Sequence, residues 1–344
     1  MPTIKDVAGL SGFSVSAVSK YLKAPDSVRK ETRQRISEAI HMLGYSPSPT
    51  ARSLRTGKTG IVAVLIPEIT NPVFAELFSH VYEGCLRVGV TPVLHAVTDA
   101  AQLERIFPAI SPHHADGLIL CFLNGEAICA PIIRYAAGSS LISIGFEADT
   151  RVSGSIMVDV AHGMGLLARH LLEGGCQDIA YLGEPGADIA SIKKISGFLG
   201  GLSGKRNVRV MQGYRGLEGG FEAAGQLLVS GMPDAIVCET DILAIGCVKR
   251  LAQERVVIPD TVSVTGYDDI QIAGMYEPSL TTVRLPLKQI SDLAVNMLDA
   301  ALQGRKQDPV TMIPELVVRN STVGKSEKGW QPKQVSKTMK GACP

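Results

Sequence analysis

At 344 residues and 45% hydrophobic, the chain is too long for one ordinary domain and long enough for two or three units with cores of their own. Its formal net charge of +1 conceals a division by position: residues 1–60 carry ten Lys/Arg against four Asp/Glu, a balance of +6, and the remainder carries −5. A basic head on a mildly acidic body calls for a polyanionic partner at the head alone, while the lack of a charged-then-apolar leader or of ~18 consecutive apolar residues argues for a cytoplasmic protein and against export or membrane insertion.

In chain order, Thr3 and Asp6 have the spacing of a capping box, and Ile4, Val7 and Ala8 form the apolar stripe of a short helix that Gly12 ends. Ser14 caps a second helix, with Val18 and Leu22 facing inward and Ser16, Ser19, Lys20 and Lys23 on a polar side. A third helix is expected over Lys30–Leu43, where Ile36, Ala39, Ile40 and Leu43 recur at helical spacing, and Gly44 closes it. Ser46-Pro-Ser-Pro49 stops any helix, leaving residues 50–56 as a separate short segment.

From Gly60 the pattern changes. Apolar runs at 61–66, 117–122, 141–146, 179–182, 208–211, 235–238 and 262–265 alternate with helical stretches at 74–88, 164–173, 217–229 and 241–253, as in repeated βαβ units with parallel sheets. So many strands favour two doubly wound lobes over a single sheet. The stretch 325–344 has five Lys, one Glu and no apolar periodicity, and reads as a disordered tail. The seven Cys are odd in number, never spaced Cys-x-x-Cys and mostly set in apolar runs, which predicts buried free thiols and no metal or cofactor site.

A helix-turn-helix requires a first helix across the DNA backbone, a tight turn, and a second helix whose small polar or basic side chains reach base edges. Alone, the first two helices are better read as two packed helices with a solvated face; the basic head and the downstream segment reverse that preference in favour of DNA. Thr3-Ile-Lys-Asp-Val-Ala8, Val18-Ser-Lys-Tyr-Leu22, Leu43-Gly-Tyr-Ser-Pro47 and Ala51-Arg-Ser-Leu-Arg-Thr-Gly57 resemble the DNA-binding headpiece of the lactose-repressor/galactose-repressor family. Asn71-Pro-Val-Phe-Ala-Glu76, Asp116-Gly-Leu-Ile119, Val264-Thr-Gly-Tyr-Asp-Asp269, Pro278-Ser-Leu-Thr-Thr-Val283 and Pro314-Glu-Leu-Val-Val-Arg319 extend the similarity through the body, so that it covers about residues 3–322.

The resemblance implies an α/β protein with a three-helix helix-turn-helix headpiece and two doubly wound, parallel-sheet lobes of the periplasmic-binding-protein-like kind. The expected division is a headpiece over 1–48, a hinge helix and linker over 49–59, a first lobe of 60–161 with a return segment 286–322, a second lobe of 162–285, and a basic tail over 323–344. It further implies a homodimer on a palindromic DNA operator, acting as a ligand-controlled repressor of carbohydrate-related genes. Thr3, Lys5, Ser14, Val15, Ser16, Ala17 and Lys20 match DNA-contacting positions of the headpiece. Ala51, Leu54 and Arg55 match a hinge in which the leucine wedges into the minor groove, a task suited to an apolar side chain flanked by basic ones. Ala17 and Lys20 stand where the family commonly has Thr and Arg, so one phosphate-binding hydroxyl and a bidentate guanine contact are missing.

Asn71, Phe74, Asp159, Lys194, Arg215, Thr240, Asp241 and Asp268 match effector-binding positions. Phe74 is expected to stack on the ligand and Asp268 to accept hydrogen bonds from its hydroxyl or ring N–H groups. At 194, 215 and 240 the family usually has Arg, often an aromatic residue, and Asn. Two cations at the cleft lead to the expectation of an anionic effector, a sugar acid or phosphosugar, unless Lys194 and Arg215 face solvent or pair with Glu184 and Glu218. A purine-like, non-sugar effector is the alternative.

An enzyme is the rival class, since Gly163-Met-Gly165-Leu-Leu-Ala168 approximates a dinucleotide-binding fingerprint. Ala161 and His162 separate its first Gly from the preceding strand, where the phosphate turn should begin at once. His113-His114 and Asp268-Asp269 lack the partners a metal or acid/base site needs.

Overall fold

The computed structural model describes residues 2–46, 53, 57–122, 126–135, 139–145, 151–184, 189–202 and 207–322, and the chain separates into two compact units between Gly60 and Ile61. The hinge residues Ala51, Leu54 and Arg55 and the 323–344 tail lie outside the described residues.

The first unit is a small helical body of α1 (Ile4–Ser11), α2 (Val15–Lys23) and α3 (Lys30–Leu43). The Thr3–Asp6 capping box forms in full, with Asp6 Oδ2 accepting from the Thr3 N–H at 2.7 Å and from its hydroxyl at 2.8 Å. Gly12 ends α1 at φ 73, a left-handed geometry that favours glycine, and a Cβ there would meet the Arg35 guanidinium. The Arg35 guanidinium also lies 5.1 Å from the Phe13 ring centroid, fixing the turn against α3. Val7, Ala8, Val18, Ile36 and Ala39 form the core.

The second unit holds two parallel sheets. The first is formed by β1 (Ile61–Ile66), β2 (Thr91–Ala96), β3 (Gly117–Cys121), β4 (Ser140–Ile144), β5 (Gly154–Val158) and β11 (Val310–Met312), in the order β11-β5-β4-β3-β1-β2. Alternation along the strands feeds two separate cores. Val62, Val64, Ile66, Ile119, Ile142 and Ile144 point to one face, Ala63, Leu65, Leu118, Leu120 and Leu141 to the other. The first face is covered by α4 (Pro72–Arg87) and α11 (Leu287–Leu302), the second by residues of α5 (Ala100–Ile106) and α6 (Glu126–Tyr135).

The second sheet has the order β7-β6-β8-β9, from β6 (Asp178–Gly183), β7 (Asn207–Gln212), β8 (Ala235–Cys238) and β9 (Ser263–Thr265). Its helices α7 (Val160–Glu173), α8 (Ile189–Gly201), α9 (Gly216–Ser230) and α10 (Asp241–Gln253) approach in pairs through glycine. A Cβ on Gly220 would strike the Leu243 carbonyl, and one on Gly246 the Leu217 carbonyl, so α9 and α10 touch backbone to backbone. Gly163 and Gly165, the suspected dinucleotide glycines, lie inside α7; Gly163 faces Pro314 and Val283, and Gly165 faces α8 at Gly197 and Gly201. They pack helices and form no phosphate turn.

The chain passes between the lobes three times: from β5 into α7, from β10 (Thr282–Arg284) into α11, and from β11 into β12 (Glu315–Val317). β10 and β12 pair antiparallel, and the Asp159 N–H bonds the Met312 carbonyl at 2.9 Å. The sequence reading grouped all of 286–322 with the first lobe. The structure returns 315–322 to the second, where Ser321 exchanges hydrogen bonds with Val264 through its backbone carbonyl (2.9 Å) and hydroxyl (2.6 Å). Strands of three residues carry no periodicity from which that return is legible.

Candidate functional site

On the headpiece, α2 presents a continuous polar edge. Ser14 Oγ accepts the Ala17 N–H at 3.2 Å and lies 2.9 Å from Ser16 Oγ, so both hydroxyls are anchored at the helix start. Val15, 42% exposed, stands beside exposed Ser16 and Lys20, with Ala17 half-buried, while Val18 is wholly buried and fixes the rotation of the helix. Thr3 and Lys5 are exposed at the start of α1.

In the larger unit a cavity of about 250 Å³ opens where the carboxyl ends of both sheets meet, the usual ligand position in open α/β sheets. Its lining includes Asn71, Phe74, Lys194, Arg215, Thr240 and Asp268, six of the eight residues expected there. Asn71 caps α4, its Oδ1 accepting the Val73 N–H at 3.1 Å, and its Nδ2 donates to Asp268 Oδ2 at 3.2 Å across the lobes. Phe74 sits one turn into α4 with its ring centroid 6.4 Å from that of Phe122, tilted by 53°. Thr240 caps α10 through the Leu243 N–H at 3.4 Å.

Asp241 and Asp159 do not line the cavity. Asp241 is fully buried beneath it, accepting the Ile270 N–H at 2.9 Å and the Thr282 hydroxyl at 2.5 Å; burial, with Asp268 nearby, pushes its carboxyl well above the usual range. It holds the 266–270 loop and so positions Asp268, whose φ is 116. Asp159 caps α7 through the His162 N–H at 2.9 Å. Asp269 diverges from its neighbour toward Arg284 and Arg319, each at 2.6 Å.

Several lining residues were not expected: Glu68, Thr98, Phe122, Ser191, Glu239 and Tyr267; Glu184, expected only as a partner for the two cations, lines the cavity as well. A signal was present, because Glu68, Glu184 and Glu239 each follow closely on an apolar strand. They change the electrostatics, setting four carboxylates against two cations. Lys194 is held closely and Arg215 only loosely. Lys194 Nζ donates to the Glu239 carbonyl at 2.9 Å and lies 4.3 Å from the Tyr267 ring centroid; Arg215, 56% exposed at the rim, is 3.8 Å from Glu184. The Glu184 N–H donates to Glu239 Oε2 at 2.7 Å. Burial raises the Glu184 carboxyl, opposed by Lys194 and Arg215. Burial likewise lifts Asp268 to about 6 against the pull of Lys194 and Asn71. In this lining carboxylates outnumber the cations on which the expectation of an anionic effector rests.

Residues 3–48 match the family model described as bacterial regulatory proteins, lacI family, and residues 168–322 match a periplasmic binding protein-like domain. The HTH-type transcriptional repressor PurR of Photorhabdus laumondii is 30% identical over 333 residues, with 94% of this chain and 97% of that protein covered. This chain belongs to the lacI family. PurR of Histophilus somni is 28% identical over 340 residues, covering 93% of this chain and 99% of that protein. Among solved structures, the lac repressor dimer bound to operator and the anti-inducer ONPF shares the fold with a TM-score of 0.82 at 20% identity, covering 94% and 99% of the two chains. A transcriptional regulator CelR–cellobiose complex does so with a TM-score of 0.70 at 24% identity, covering 93% and 100%. The lacI-family protein is thus a ligand-responsive, DNA-binding transcriptional repressor with a helix-turn-helix head and two parallel-sheet lobes. No described helix of this lacI-family repressor is long and apolar enough to cross a membrane.

Proposed function

We propose that this repressor controls carbohydrate-related genes from the cytoplasm, as a non-catalytic homodimer on a near-palindromic operator. In this reading α2 enters the major groove with Val15, Ser16, Ala17 and Lys20, while Thr3, Lys5 and Ser14 hold phosphates. Ala51, Leu54 and Arg55 supply the minor-groove wedge, a role that rests on the sequence alone. The head covers 1–48, the hinge 49–59, and the lobes the remainder to 322.

The effector occupies the cavity between the lobes. One observation carries this: the Asn71–Asp268 hydrogen bond joins the lobes inside the cavity, so a ligand that competes for either group shifts the balance between lobe arrangements. The volume, below the ~300 Å³ at which drug-sized pockets begin, fits a single ring. Phe74 offers an apolar face to a sugar ring, and the acidic lining favours hydroxyl donors. A purine is the second reading, favoured by Phe74 and by the relatives named PurR.

A mobility-shift titration on DNA upstream of its own gene tests the output. Binding is expected to weaken steeply with salt as condensed counterions are released. Binding that is absent, or indifferent to salt, would overturn the proposal.

A further inference from the structure

We propose that the effector carries a protonated amine, seated against Asp268, Glu239 and Glu184 in the cavity between the lobes. The inference rests on the cavity being the effector site, and it specifies the chemistry taken there.

Asp268 and Glu239 bring acceptor oxygens to the cavity. Asp268 accepts the Asn71 amide at Oδ2 and Glu239 accepts the Glu184 N–H at Oε2, which leaves Asp268 Oδ1 and Glu239 Oε1 as further acceptors among the described residues. Both carboxylates line the cavity, so a donor that enters it meets acceptor oxygens on each and can add charge-assisted bonds there.

The charge balance then selects the kind of donor. Lys194 influences both Glu184 and Asp268, but its ammonium is tied to the Glu239 carbonyl and the Tyr267 ring, while Arg215 stands at the exposed rim, 3.8 Å from Glu184. Glu68 and Glu239 both raise the Asp268 and Glu184 carboxyls through like-charge repulsion, the signature of surplus negative charge. An anion adds to that surplus and a neutral polyol leaves it in place, whereas one ammonium group relieves it with charge-assisted hydrogen bonds. With room for one ring beside Phe74, the class is a small amine-bearing polyol of hexosamine size.

The test is calorimetry near pH ~7 on the full chain with glucosamine, galactosamine and mannosamine, their three neutral hexoses, glucose 6-phosphate and hypoxanthine. At least one hexosamine should bind about tenfold or more tighter than its neutral counterpart, as a charge-assisted bond requires. That advantage should vanish in Glu239→Gln, whose amide oxygen can still accept the Glu184 N–H, and in Glu184→Gln; unchanged melting of the variants verifies the fold. Failure of every hexosamine, or equal or tighter binding by a neutral hexose or the phosphate, overturns the inference. If a neutral hexose or hypoxanthine binds in the cavity instead, the effector reading survives without the amine; if no probe binds, it loses this support too.

Discussion

Asp268→Asn isolates the electrostatic cost of the cavity between the lobes. The Asp268 carboxyl, 7% exposed, is raised to about 6, chiefly by burial. Unfolded, it titrates near ~3.9. Below ~4 it is protonated in both states and its contribution to stability is fully present. As pH rises through about 6, the folded protein must ionise a buried group and that contribution is lost. Some two pKa units at ~1.4 kcal/mol each make this about 3 kcal/mol between pH ~4 and ~7. Asn cannot ionise, retains an oxygen for the Asn71 amide, and is among the residues that best tolerate the positive φ found here. The stability of the wild type minus that of the variant should therefore fall by about 3 kcal/mol over that range, roughly 6 °C for a domain of this size. Paired thermal and urea melts across the range measure it, because subtraction removes the groups the two proteins share. A difference that stays flat or grows with pH would show that Asp268 pays no desolvation cost.

Other outcomes follow from the same geometry. Gly246→Ala should lower stability by about 2 kcal/mol in urea melts, since overpacking against the Leu217 carbonyl (~3 kcal/mol) outweighs the helix-propensity gain (~1 kcal/mol). Asp241→Ala leaves the Ile270 N–H and Thr282 hydroxyl without a buried acceptor; a loss of about 2–4 kcal/mol, with weaker effector binding as the 266–270 loop loosens, is expected from melting and calorimetry. Ser14→Ala should cost the headpiece about 1 kcal/mol by removing the cap on the Ala17 N–H, measured by melting residues 1–60 within the full chain by NMR. Leu54→Ala should reduce operator affinity in mobility shifts while both units melt unchanged; unchanged affinity would end the wedge role.

Local chemistry made much of the fold legible. Lys30–Leu43 and Asp241–Gln253 have the expected ends because Gly44 and Thr240 mark them, and Ile61–Ile66 is apolar at every position as a doubly covered strand must be. Missing from the expectation were β2, which is half-exposed and contains Pro92, and α11, whose Ser291 bonds the Leu77 carbonyl of α4, 214 residues earlier. The site was legible where side chains sit on capped starts, as at Asn71 and Thr240. It failed one residue later at Asp241, since the first helical step turns that side chain into the core. The clustering of the acids was overlooked because Glu184, named only as a partner for the cations, and Glu239 are drawn together by tertiary contact between neighbouring strand ends, which no linear spacing encodes.

The three passages of chain between the lobes act on the protein's mechanics. A single tether would leave one lobe free to roll, slide and twist on the other. Three connections, with β10 laced to β12 and Asp159 tied to Met312, favour swinging over torsion. In the proposed reading, binding energy delivered at the Asn71–Asp268 contact enters one soft coordinate, as force on a door turns only its hinges. A sub-ångström preference in the cavity can be expressed as a larger displacement at the far edges of the lobes, because the stiff directions absorb little of it.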